Sequence, residues 1–152
     1  MSYNTVLGSQ FEFSLRILTL LNELDSVAID ADTICIIDHM AIYAADYDLA
    51  KTNLHGDNPY RASEYAVRKR RLNQAVNQLI IDRLVEMETR IDGVSYKITS
   101  LGKLTYSKLK NSYSNKYTRN IKLINESYSP FSFPMLMKLF REKSMILGGE
   151  NE

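Results

Sequence analysis

His39, Asp46, His55 and Asp57 carry the side chains that bind transition metals, imidazole and carboxylate. Zinc sites draw such ligands at short, fixed spacings, and these intervals match none of them. His39 also lies in an otherwise apolar stretch, where a hydrogen-bonded core histidine is the expected role. No metal is expected. The one cysteine, Cys35, stands in the run Thr33-Ile34-Cys35-Ile36-Ile37 with no cation beside it. Apolar surroundings raise a thiol's pKa and suppress its reactivity, so a buried, inert thiol is expected rather than a nucleophile. No GxxxxGK[ST] loop is present to cradle a phosphate. The residues offer no catalytic group, no cofactor site and no small-molecule substrate.

The remaining chemistry is charge. Arg68, Lys69, Arg70 and Arg71 fill one helical turn, and such a turn can contact phosphates. Four consecutive residues circle a helix, however, so they cannot all face one duplex. The alternative is a solvated or partner-facing side, with one arginine pairing Glu64 a turn earlier. Residues 101–122 add Lys103, Lys108, Lys110, Lys116, Arg119 and Lys122 without a single acid. Non-specific contact with a nucleic-acid backbone, through Lys69, Arg70, Arg71, Lys103, Lys108 and Lys110, is more plausible than base reading. Net charge is only +1, which hides an asymmetry: residues 1–60 hold nine anions and two cations. An acidic first third joined to a basic middle gives two electrostatic faces, suited to orienting a partner.

At 152 residues the chain is of single-domain size, and its 45% apolar share supports one core. A lone cysteine makes no internal disulfide and fits a reducing cytoplasm. The N-terminal MSYNTVLGSQFEF has neither the basic nor the apolar region of a signal peptide. No apolar run reaches the roughly 20 residues that span a membrane. A cytoplasmic protein is expected.

Leu15, Leu18 and Leu21 stand at helical spacing in residues 11–24, with Glu12, Arg16 and Glu23 off that stripe. Asp30 or Asp32 can cap a second helix that buries Ile34, Ile37, Ala41 and Ile42 and ends near Tyr43 or Ala45. Residues 47–59 are rich in turn formers and read as a loop. A third helix covers about 61–83 on a stripe of Tyr65, Leu72, Ala75, Val76, Leu79 and Ile80. Leu84-Val85-Glu86 then leads to Asp92-Gly93, a tight-turn pair, and Val94 to Thr99 alternate with the period of a half-buried strand. Thr99 or Ser100 can cap a long helix from Leu101, striped by Leu101, Leu104, Leu109, Tyr113, Tyr117, Ile121 and Ile124. Three helices, a hairpin and a following helix is the order of a winged helix-turn-helix-like domain. The expected fold is therefore mainly α, with a small β-hairpin wing and a C-terminal helical extension. Residues 1–129 form the domain, and 130–152 form an amphipathic arm and tail.

That arm is the strongest candidate for partner contact. Pro134 suits a first helical turn, and Met135, Leu136, Leu139 and Phe140 follow. Left free, they would expose more apolar surface than a soluble monomer tolerates, so the arm must fold back, dimerise or dock. Ten tyrosines against no tryptophan fit either half-wet contact surfaces or core edges.

Several short pieces recur in order along residues 11–128. They are Phe11-Glu12-Phe13 with Leu15-Arg16-Ile17-Leu18, then Asp38-His39 and Ala45-Asp46. Leu54-His55-Gly56 ahead of Pro59-Tyr60-Arg61 comes next, with Glu64 and Arg68, and then Gly93, Tyr96 and Thr99 at the hairpin. In these the sequence resembles the second family of middle components of ABC-three-component systems. Gly56 departs from the pattern, which usually has proline there, and Asn77-Gln78 replaces a Gly-Leu step. The resemblance implies an adaptor in a prokaryotic conflict system, set between an ABC- or SMC-type ATPase and an effector. Lamassu-type anti-phage assemblies have similar accessory subunits. It also implies roles for four residues: Arg61 and Arg68 pairing acidic groups of the partner, Glu64 bracing the helix start, and His55 pinning the loop. The rival reading is a winged-helix transcriptional regulator, since one fold hosts many functions.

Overall fold

Two helices early in the chain are buried on almost every side and form the inside of the protein. In the computed structural model, which describes residues 10–54, 61–110 and 112–149, they are α1 (Gln10–Glu23) and α2 (Ala31–Ile42). On α1, Phe13, Leu15, Ile17, Leu18, Leu20 and Leu21 are all buried, and α2 is buried at every position from Thr33 to Ile42. The single stripes expected for both helices were too narrow. Glu12 and Arg16, expected off the stripe, lie inside with it.

Asp30, one of the two expected caps, starts α2. Its carboxylate accepts from the Thr33 amide at 3.1 Å and from the Thr33 hydroxyl at 2.6 Å. After α2 a short 3-10 turn, Ala44–Tyr47, ends at Asp48 in the left-handed region (φ 60°). The loop expected from residue 47 is tied back at once. The Leu54 amide donates to the Ile42 carbonyl at 2.9 Å, and the Ala45 amide donates to Asn53 Oδ1 at 2.9 Å.

Helix α3 (Arg61–Ile81) packs Leu72, Ala75, Val76 and Leu79 inward, on the stripe the sequence predicts. The hairpin follows as β2 (Val85–Arg90) and β3 (Gly93–Ile98), with Arg90 opposite Gly93 at the tip. Gly93 sits at φ 134°, a conformation that needs glycine. A strand with no expectation behind it, β1 (Ile29–Asp30), pairs Ile29 with Tyr96 and Asp30 with Ser95. The described residues thus form a mainly helical protein with a three-stranded antiparallel sheet in the order β1-β3-β2.

The long helix expected from Leu101 is in fact two helices, α4 (Ser100–Leu109) and α5 (Ser112–Tyr128). The chain turns extended at Lys110 (ψ 143°), which ends α4. Because α4 is a separate helix, its rotation differs from the expected stripe: Leu101 and Leu104 are 48% and 53% exposed. Gly102 and Tyr106 face inward instead. Thr99 fixes this start, accepting from the Gly102 amide at 2.9 Å while donating to the Arg83 carbonyl at 2.8 Å. The last helix, α6 (Phe133–Gly149), returns to pack on α2.

Gly102 lets α4 approach the Leu84 backbone. A Cβ there would strike the Leu84 carbonyl and lie 2.7 Å from Ile98 Cγ1. Gly102→Ala is therefore expected to destabilise the fold by about 1–3 kcal/mol in urea unfolding, despite alanine's better helix propensity. An unchanged or raised midpoint would show that α4 does not sit so close.

Candidate functional site: a buried ionic brace and the seat of the last helix

Arg16 is 2% exposed, so its charge must be met inside the protein. Its Nη1 donates to Glu12 Oε1 one turn earlier at 2.9 Å, and its Nε donates to Asp38 Oδ1 on α2 at 2.9 Å. The Tyr117 hydroxyl donates to the same Asp38 oxygen from α5 at 2.7 Å. Asn120 adds a bond to the Ala41 carbonyl at 2.9 Å, and the Arg16 guanidinium lies 4.4 Å from the Phe13 ring centre. Three helices are joined through one carboxylate. Burial alone would push the Asp38 carboxyl up; the Arg16 and Arg68 guanidiniums and the Tyr117 hydroxyl reverse that and hold it below its ordinary value.

A second brace ties α2 to α3. The Tyr43 hydroxyl donates to Glu64 Oε2 at 2.8 Å, and Glu64 Oε1 pairs with Arg68. The pairing of an arginine with Glu64 at i+4 is as expected. Arg68 is only 4% exposed, however, with its guanidinium 5.7 Å from the Tyr43 ring centre. In this chain the carboxylate Arg68 meets is the chain's own, because a guanidinium left buried without a counter-charge would be costly.

Around His39 the side chains are aromatic. Its ring centre is 5.0 Å from Tyr43, 5.8 Å from Tyr65 and 5.0 Å from Phe140. Tyr65 and Phe140 lie 4.9 Å apart, so a residue of α6 completes a cluster built by α2 and α3. Cys35 lies beside Tyr65; burial, with Asp38 adding, pushes its thiol up to about 12, and it stays protonated at neutral pH.

The four arm residues thus separate. Leu136 and Phe140 are buried against α2 and its neighbours, Leu139 is half-buried, and Met135 is 40% exposed. Fold-back, one of the three expected fates, accounts for Leu136 and Phe140, which do not face outward for a partner. Lys143 adds an ion pair to Asp48 at 3.7 Å. Among the proposed nucleic-acid contacts, Lys69 pairs with Asp32 at 2.6 Å and Lys103 with Asp25 at 2.6 Å. Arg70, Arg71, Lys108 and Lys110 are exposed. Arg61 opens α3, while its side chain, together with His55 and Asp57, lies outside the described residues. Among the described residues no three His, Cys, Asp or Glu side chains gather as metal ligands do. The brace of Glu12, Arg16, Asp38 and Tyr117 was not foreseen as a unit. Its signal was Glu12 and Arg16 a turn apart in a leucine-rich helix, and Asp38 following the apolar run of α2.

Two consequences are measurable. Asp38 contributes stability that is fully present above its unfolded pKa of 3.8 and is lost as pH falls through its lower folded value. The Asp38→Asn variant should be less stable than wild type at pH 7, with the gap closing below pH about 4, in urea titrations at several pH values. A gap independent of pH would remove the ionic account. Phe140→Ala should cost about 3–5 kcal/mol and expose α6 to limited proteolysis. A loss below about 1 kcal/mol would mean that α6 does not depend on this seat.

The family model of the ABC-three component (ABC-3C) system Middle Component 2 matches residues 6–150, and the chain belongs to that family. No curated protein and no solved structure matches the chain.

Proposed function

We propose that this chain is the non-catalytic adaptor of a prokaryotic ATPase-based anti-phage complex, docking on an ABC- or SMC-type ATPase and coupling it to an effector. The family match across residues 6–150 is the observation that carries this reading. A middle component implies partnership with the other components of its system, and Lamassu-type accessory subunits are a functional analogy. A cytoplasmic site of action is part of the proposal; no helix among the described residues is long and apolar enough to cross a membrane.

A winged-helix architecture is proposed on the element order. A helix, a strand, two helices and a hairpin, with sheet order β1-β3-β2, support it; the hairpin is then the wing and α6 the C-terminal extension. Docking surface is sought among exposed apolar side chains, since soluble proteins keep few large ones in water without a use. The hairpin offers Met87, Ile91 and Val94, 54%, 109% and 36% exposed, and α4 offers Leu101 and Leu104. His55, Arg61 and Met135 remain partner-contact candidates. The regulator reading is weaker, because Arg68 and Lys69 of the basic turn are engaged within the chain.

Affinity purification of the tagged chain from its native cells, with the mass of the complex measured, tests the proposal. Recovery of a large ABC- or SMC-type ATPase in fixed ratio is expected. Met87→Asp combined with Ile91→Asp should then lower that recovery by about tenfold, as loss of an apolar anchor does. Recovery of the chain alone, as a dimer that selects one duplex sequence, would make it a regulator.

A further inference from the structure

The acidic first third of the chain does not form an acidic face; its carboxylates are largely used within the fold. Glu12 and Asp38 hold Arg16, Asp30 caps α2, and Asp25, Asp32 and Asp48 pair with Lys103, Lys69 and Lys143. The cations that answer them come from α1, α3, α4 and α6, and none comes from α5. Helix α5 turns Tyr117, Ile121 and Ile124 inward, and its outward face carries Asn115, Lys116, Arg119 and Lys122. These three cations, like Lys108 and Lys110 at the end of the preceding helix, have no ion-pair partner among the described residues.

We propose that the outward face of α5, through Lys116, Arg119 and Lys122, binds the phosphate backbone of duplex nucleic acid without reading its sequence. Turns of three residues bring the three cations along one side, over about 9 Å of helix. A duplex presents one charge per about 1.7 Å of its axis, so such a ridge faces several phosphates at once. Lys108 and Lys110 extend the positive field, because α4 meets α5 where the Tyr106 hydroxyl lies 3.1 Å from Thr118 Oγ1. The acidic side chain that bounds the ridge, Glu126, stands a turn beyond Lys122. An acidic protein is a poorer occupant. Protein interfaces are built around aromatic and apolar anchors and are depleted in lysine, whereas residues 114–128 expose no large hydrophobic side chain. This replaces the α3 turn as the nucleic-acid surface and holds whether or not the adaptor reading does.

Fluorescence anisotropy of the full chain with labelled duplexes of two unrelated sequences, over a salt series, is the test. Both duplexes should bind alike, with affinity falling steeply as salt rises. The triple variant Lys116→Glu/Arg119→Glu/Lys122→Glu should bind at least about tenfold more weakly and lower the log–log salt slope by up to about 3. Its thermal unfolding should match wild type because all three side chains are exposed, and Arg70→Glu on α3 should bind as wild type does. Absence of duplex binding at low salt would overturn the proposal, as would a triple variant that binds like wild type. Loss of a co-purifying protein in the triple variant, with duplex binding intact, would reassign the ridge to protein contact.

Discussion

Hydrophobic burial alone does not decide how α1 is rotated in this protein, because α1 is buried on nearly every side, its charged residues included. Arg16 decides it. A buried guanidinium needs carboxylates at hydrogen-bonding distance; Glu12 turns with Arg16 on α1 itself, but Asp38 on α2 is in reach in only one rotation. The same argument holds for α2, whose ten consecutive buried residues include Asp38. One ion pair sets the angle of both inner helices, and Tyr117 sets α5 against them. The brace therefore acts as a specifier of arrangement, more than as a source of net stability.

The outer elements inherit their places from that arrangement. With α2 oriented by Asp38, the next turn of the helix aims His39 and Tyr43 at α3 and α6. Tyr43 meets Glu64, Glu64 holds Arg68, and Arg68 in turn adds to the field that keeps Asp38 ionised. His39 gathers Tyr65 and Phe140 into a ring cluster that seats the last helix. Charge is spent in the same inward direction. The pairs of Asp25, Asp32 and Asp48 with lysines of α4, α3 and α6 staple outer helices to the segments around the inner two. On α4 and α5 the exposed Lys108, Lys110, Lys116, Arg119 and Lys122 are left without an ion-pair partner among the described residues.

The parts legible in the sequence were those set by local chemistry. Asp30 as a cap, Asp92-Gly93 as the hairpin tip and the α3 stripe each depend on neighbours within a few residues. The two-residue β1 was not legible, because its pairing with Tyr96 and Ser95 is long-range and a pair of residues carries no period. The break at Lys110 is not legible because the apolar spacing from Leu101 through Leu109 and Tyr113 to Ile124 continues across it. Burial of Arg16 and Asp38 was missed for a different reason: charged residues are assigned to water by default, and only a partner placed by the fold overturns that. The arm was ambiguous in principle, since an apolar face says that it must be covered and not by what.

Among the described residues, those on which the family resemblance rests are mostly interior. Glu12, Arg16, Asp38 and His39, with Glu64 and Arg68, form the brace and its continuation, so they mark how the chain folds. Contact with partners must be made by side chains that this framework holds outward. Those available differ in kind: an apolar set on the hairpin and α4, and a purely basic ridge on α5. An apolar set suits a desolvated protein interface, where affinity comes from anchors excluded from water. A ridge of lysine and arginine with no apolar anchor suits a solvated polyanion, where binding comes from counterion release. A subunit that presents both, on a core whose buried charges are paired within the chain, can hold a protein partner and a charged polymer without either contact loosening the fold.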